Sequence, residues 1–127
     1  MNSRSKGKRG ELEWRDQIIA AGKERGREWE ARRGQQFSGS PDSPDVVTNL
    51  PFHFEVKRVE KLSIYKAMQQ AKDECGSNPP IVAHRKNGGE WLVIMQGSTF
   101  FNIIEEQCQI NKTVTKNTSE LPSQERS

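Results

Sequence analysis

Apolar and polar positions along this chain fall into two periods, and these mark out its elements. From Glu11 the spacing is helical: Leu12, Arg15, Ile18 and Ile19 form a mostly apolar stripe, with Gly22 a fitting stop and Trp14 set off the stripe, covering its rim. Lys23 to Gln36 is polar. Trp29 and Ala31 alternate with charges there as in an edge strand, although Glu28 to Arg33 could equally finish a second helix. Phe37 to Pro44 holds Gly39, Pro41 and Pro44 among serines and reads as a loop. A short strand is expected at Asp45 to Thr48, a turn at Asn49 to Pro51, and the clearest strand at Phe52 to Arg58. In that strand Phe52, Phe54 and Val56 face one way, and His53, Glu55 and Lys57 face the other.

Ser63 can cap a helix reaching about Cys75, with Ile64, Ala67, Met68, Ala71 and Cys75 on one stripe. Two apolar strands follow, Ile81 to His84 and Trp91 to Met95, joined through Asn87-Gly88-Gly89. Their lack of inward charge suits a buried place in a sheet. A last short helix is expected over Thr99 to Gln107. This order describes a small α/β domain with a mixed sheet. The expected division is a disordered basic arm at 1–10, one domain at 11–107, and a polar, disordered tail at 108–127.

Charge sharpens this picture. Residues 1–33 hold ten Lys or Arg against six acids, whereas the other 94 hold ten against eleven, so positive potential gathers in the first quarter, where it can meet a polyanion. Cys75 and Cys108 stand 33 residues apart with no CxxC unit, which argues against a disulfide scaffold or a structural zinc site. With no long apolar run and no signal-like segment, the expectation is a soluble, cytoplasmic protein with no membrane partner. Nothing resembles a Walker phosphate loop, so no nucleotide cofactor is expected.

The candidate chemistry lies at Asp45, Glu55 and Lys57. Glu55 and Lys57 project from one face of a strand, and a hairpin between 45–48 and 52–58 would bring Asp45 to the same point. Two converging carboxylates make a hard-oxygen site suited to Mg²⁺, with Mn²⁺ as substitute. A cation held there would lower the pKa of a water and neutralise charge on a phosphodiester, with Lys57 orienting that water or stabilising the charged intermediate. The same alternation also describes the solvent face of any half-buried strand, where an ion pair is ordinary. His53 shares the face but is expected at the surface, and Tyr65 and Trp91 are expected in the core or at its rim.

These residues also carry a resemblance. Gly39-Ser40, Pro44-Asp45-Val46-Val47 and Phe54-Glu55-Val56-Lys57 look like the signature of the PD-(D/E)XK nuclease superfamily, most similar to archaeal-type and phage Holliday junction resolvases. Lys6 to Gly10 followed by Glu11-Leu12-Glu13-Trp14-Arg15 resembles the opening of such enzymes, and Ile64 to Ala71 resembles their glutamine-bearing segment. The resemblance implies a restriction-endonuclease-like fold, a central mixed sheet flanked by helices. It also implies two divalent ions and a homodimer cutting branched double-stranded DNA at four-way junctions. It assigns the helix acid to Glu13, with Glu11 competing, and the active-site glutamine to Gln70, with Gln69 the near alternative. DNA phosphates would fall to Lys6, Lys8, Arg9, Arg25, Arg27, Arg32, Arg33 and Ser40. A restriction-like or general DNA nuclease with the same site, or a non-enzymatic nucleic-acid-binding protein, are the competing readings.

Overall fold

Lysine and arginine are good helix formers, and the first helix shows it by starting well before the apolar pattern does. In the computed structural model, which describes residues 3–34 and 45–118 (side chains for 7–34 and 45–111), α1 spans Ser3–Glu24. The segment from Ser3 to Gly10, expected as a mobile basic arm, is therefore its first turns. Gly10 is buried against the side chains of Val56 and Arg58, which ties this segment down. The seated face of α1 is also not the one its aliphatic residues suggest. It consists of Gly10, Trp14, Ile18 and Gly22, and Gly22, instead of ending the helix, meets Trp29. Small residues at both ends of this stripe let the helix axis approach the sheet, and Trp14 fills the middle, edge-on to Phe54 and tilted against Trp91.

The strands are β1 (Ala31–Arg33), β2 (Val46–Thr48), β3 (His53–Lys57), β4 (Pro80–His84) and β5 (Leu92–Met95), with α2 (Ile64–Glu74) between β3 and β4. They form one sheet in the order β1-β2-β3-β4-β5. Only β3 and β4 run parallel, joined by the α2 crossover; the other neighbours are antiparallel. This is the α/β architecture with a central mixed sheet that the pattern implied. One core, of Ile18, Val46, Phe54, Val56 and Ile81, lies under α1, and a second, of Ala67, Ala71 and Val82, lies under α2. The two helices thus cover opposite faces, and β3 is buried on both.

Burial of the β4–β5 hairpin holds for β4 alone. Strand β5 is an edge, with Leu92 and Val93 about half exposed. The compact unit Met1–Met95 ends with β5, and a second unit, Gln96–Ser127, contains α3 (Gly97–Thr118). The division falls inside the segment 11–107 expected as one domain. Helix α3 also exceeds the expected Thr99 to Gln107 and takes in much of the expected polar tail. Its apolar spacing continues through Ile103, Ile110 and Val114, which that tail's polar composition obscures. Among the described residues no helix is long and apolar enough to cross a membrane.

Two glycines of α1 separate helix propensity from packing. A Cβ at Gly7 meets nothing within 4 Å, whereas one at Gly10 would stand 2.7 Å from the Cβ of Arg58. Gly7→Ala is expected to raise the urea midpoint, by up to about 1 kcal/mol of stability. Gly10→Ala is expected to lower it by ~1–3 kcal/mol through overpacking. A Gly10→Ala midpoint at or above wild type would show that α1 is not seated there.

Candidate metal centre

A central strand covered on both faces has no solvent side on which to place polar residues, yet β3 carries three on the face beneath α2. His53 is 6% exposed and Glu55 only 2%. Helix α2 can come this close because Ala67 and Ala71, both buried, are the residues it sets against the sheet. Gln70 and Glu74, one turn apart on α2, flank that contact. Gln70 Oε1 accepts a hydrogen bond from Lys57 Nζ at 2.9 Å, and the same Nζ lies 3.4 Å from Glu55 Oε2.

Asp45 arrives from β2. The register sets Val46 opposite Phe54, and carried one residue further it sets Asp45 opposite Glu55. Here the two strands part: Val56 N donates to Asp45 Oδ2 at 2.8 Å, so a carboxylate takes a donor that a longer ladder would give to a carbonyl. The Asp45 carbonyl meanwhile accepts from Gly34 N at 2.9 Å, in line with the β1–β2 pairing. The residue is held from both sides, and its carboxyl group is directed at the centre of β3.

The electrostatics are those of crowded, buried acids. Burial is the main cause raising the pKa of Glu55 to about 8, and the Asp45 charge adds to it; Lys57 works the other way, while nearby Glu74 raises it. Asp45 is raised by burial, against the Val56 N–H and Lys57. Glu11, on α1, is raised by burial and then by Asp45, against its hydrogen bond from Arg33. Burial lowers His53, which keeps its imidazole neutral and able to ligate, although Asp45 and Glu74 oppose this.

Glu55 Oε1 and His53 Nε2 are buried and find no hydrogen-bond partner among the described residues. His53, Glu55 and Glu74 each offer a ligand atom, all within 4.8 Å of one another. Orphaned lone pairs converging where negative charge is in excess are what a divalent cation would satisfy, so the cluster fits a metal and is compatible with a catalytic site. Its donors are not oxygen alone, as expected from Asp45 and Glu55, because a histidine nitrogen joins them. Comparison with family models, with curated proteins and with solved structures found no match.

The structure brings together Asp45, Glu55, Lys57 and Gln70, and not every other expected site residue. Gln69 turns instead to Asp73. Glu13 is held away from the cluster, because its Oε1 accepts from Arg58 at 3.0 Å and from Arg85 at 3.1 Å. Residues two apart on a helix point in different directions, and Glu11 is the one that feels Asp45. Arg33 is tied to Glu11 at 2.6 Å, and Arg25 closes the end of α1 by donating to the Ala21 carbonyl. Lys8, Arg9, Arg27 and Arg32 are exposed. The Lys6 side chain and Ser40 lie outside the described residues. His53 is buried where a surface position was expected, and Tyr65 is 89% exposed where burial was expected. Glu74 was not singled out from the sequence, although it stands four residues after Gln70 and so on the same helical face.

The raised Glu55 pKa gives a pH signature. In the unfolded chain this group ionises near 4.5, and in the fold near 8. The penalty is therefore absent below the lower value, grows between the two, and is complete above the upper one. Without metal, Glu55→Gln is expected to stabilise the protein by ~1–3 kcal/mol above the upper value and to have no effect below the lower. Thermal unfolding across that range checks this. Mn²⁺ affinity by calorimetry should also rise with pH, approaching about tenfold per unit below the upper value as one proton is displaced. An affinity flat in pH would remove Glu55 from the ligands.

Proposed function

We propose that this chain is a divalent-metal-dependent DNA endonuclease of restriction-endonuclease-like fold, and that it acts as a homodimer resolving four-way junctions. The observation that carries the reading is the convergence of Asp45, Glu55, Lys57 and Gln70 from β2, β3 and α2 around two orphaned buried ligand atoms. Asp45 and Glu55 would hold Mg²⁺ or Mn²⁺, with His53 and Glu74 supplying further donors on the α2 side. The bound cation would acidify a water and neutralise charge on the phosphate.

The chain's own groups have separable tasks. Gln70 and Glu55 fix Lys57 Nζ from two sides, so its positive charge is positioned before a phosphate arrives. Glu11 replaces Glu13 as the acid of the first helix, because it is Glu11 that interacts with Asp45. Glu13 instead braces Arg58 and Arg85 and so holds α1 to the strand that carries the site. Exposed Lys8 and Arg9 of α1, with Arg27 and Arg32, would meet DNA phosphates, contacts that position the substrate without reading bases. The choice of a junction over a linear duplex comes from the sequence resemblance, since a general nuclease would use the same residues.

The test is cleavage of a synthetic four-way junction and a matched linear duplex, with Mg²⁺ and with Mn²⁺, by wild type, Asp45→Asn, Glu55→Gln and Lys57→Ala. Each substitution is expected to cost at least about 100-fold in rate, and the junction should be cut in preference. Equal cutting of both substrates would remove the junction assignment and leave the nuclease. Activity persisting in the Asp45 and Glu55 variants would remove this site.

A further inference from the structure

Beside the metal cluster, on the outward side of Lys57, a cleft of about 240 Å³ opens between the end of β3 and the start of α2. Its polar lining is Lys57, Lys61, Ser63, Lys66 and Gln70, with no acid among the described residues that line it. Lys57 and Gln70 are hydrogen-bonded to each other, so the cleft and the cluster share a wall.

The acid of the loop between β3 and α2 is directed away from Lys61 and Lys66. Glu60, the acid of that loop, is turned to the β4–β5 hairpin, where its Oε2 accepts from Asn87 N at 2.8 Å. The Val59 carbonyl bonds to His84 Nε2, also at 2.8 Å. With one side of the loop pinned to the hairpin, Lys61 and Ser63 fall to the cleft. The first turn of α2 carries no acid, and its N–H groups add partial positive charge to that of the lysines. Tyr65, in the same turn, leaves its ring almost wholly in water at 89% exposure.

We infer that this cleft seats a backbone phosphate of the DNA strand next to the one at the metal cluster, and that Tyr65 stacks on an unpaired base beside it. This rests on the nuclease reading for what occupies the cluster. Lys61 and Lys66 select an anion, and the shared wall through Lys57, which is already paired with Glu55, makes that anion a neighbour of whatever the cluster holds. An exposed aromatic ring one residue from Lys66 on the same helical turn favours a nucleotide strand over free phosphate, because charge for the backbone and a ring for the base are what single-stranded sites combine. The preferred DNA would accordingly have unpaired nucleotides at the cleavage point.

The test is fluorescence anisotropy with a labelled single-stranded oligodeoxynucleotide and the full chain in EDTA, over a series of KCl concentrations, with cleavage assayed in parallel. Lys61→Ala/Lys66→Ala is expected to weaken binding at least about tenfold and to reduce the salt slope by about 1.4, two contacts at ~0.7 each. Tyr65→Ala should weaken binding about tenfold with the slope unchanged. The charge-matched control Lys72→Ala/Lys86→Ala, exposed and outside the cleft, should behave as wild type. A wild-type slope in Lys61→Ala/Lys66→Ala overturns the inference, and cleavage retained by wild type then leaves the nuclease standing. The expected slopes without any cleavage by wild type support the cleft and remove the nuclease. Inorganic phosphate binding lost in Lys61→Ala/Lys66→Ala, with oligonucleotide binding intact, overturns the inference in favour of a free anion.

Discussion

The rest of this structure depends on keeping the Glu55 carboxyl group in the middle of a sheet, covered on both faces. A buried carboxylate must be neutralised, bonded or matched by a cation, and the surroundings of β3 supply part of each. Lys57 is near but divides its ammonium between Glu55 and Gln70. Asp45 is held by a backbone amide, which fixes its position at the expense of adding a second negative charge. The departure of β2 from β3 immediately beyond Val46 follows from this arrangement. A longer ladder would give Val56 N–H to a carbonyl and leave Asp45 without a reason to point inward.

The two acids of α1 show how a helix can assign neighbouring residues to different tasks. Glu13 gathers Arg58 and Arg85, and Arg58 also reaches the Asn87 side chain, so one network joins α1, the end of β3 and the β4–β5 hairpin. The Arg58 side chain is 8% exposed, a depth at which a guanidinium needs such partners. Glu11 sits by contrast beside Arg33 and Asp45, adding negative charge to the cluster with one arginine to offset it. The glycine between the arm and these acids makes both contacts possible: without a Cβ, Gly10 lets α1 come down onto Arg58. The brace and the cluster therefore share one helix seating.

Much of the site was legible because β3 alternates cleanly and because Asp45 directly precedes the apolar Val46-Val47 of β2. Gln70 was named through resemblance alone, and in the structure its side chain accepts from Lys57. Burial was not legible, since alternation of Phe and Val with Glu and Lys is the same for an edge strand as for a central one, and only the sheet order makes β3 central. His53 was misjudged for the same reason. Trp14 was placed off the core because the helical stripe was drawn through aliphatic residues, whereas the real contact face uses two glycines, an aromatic and, of those aliphatics, Ile18. The helical extent of α1 and α3 was hidden by composition: charged and polar residues look like tails, although many of them are competent helix formers.

An ordinary solvent-facing strand could have produced the Glu55–Lys57 spacing, and three observations set this one apart. Exposure comes first: a carboxylate paired with lysine for solubility sits in water, and Glu55 does not. Stoichiometry is the second, because a structural ion pair balances one charge with one. Here Asp45, Glu55, Glu74 and Glu11 press on one another, with Lys57 and Arg33 against them. The third is the pair of atoms left over. Proteins satisfy buried polar atoms almost without exception; of the three left unsatisfied among the described residues, Trp14 Nε1 stands apart on α1, whereas Glu55 Oε1 and His53 Nε2 belong to residues whose ligand atoms converge with those of Glu74. Once pH rises through the raised Glu55 pKa, a fold that holds its lone pairs in this arrangement is strained by its own charge, so the feature that weakens the protein there is also the one that would drive metal binding.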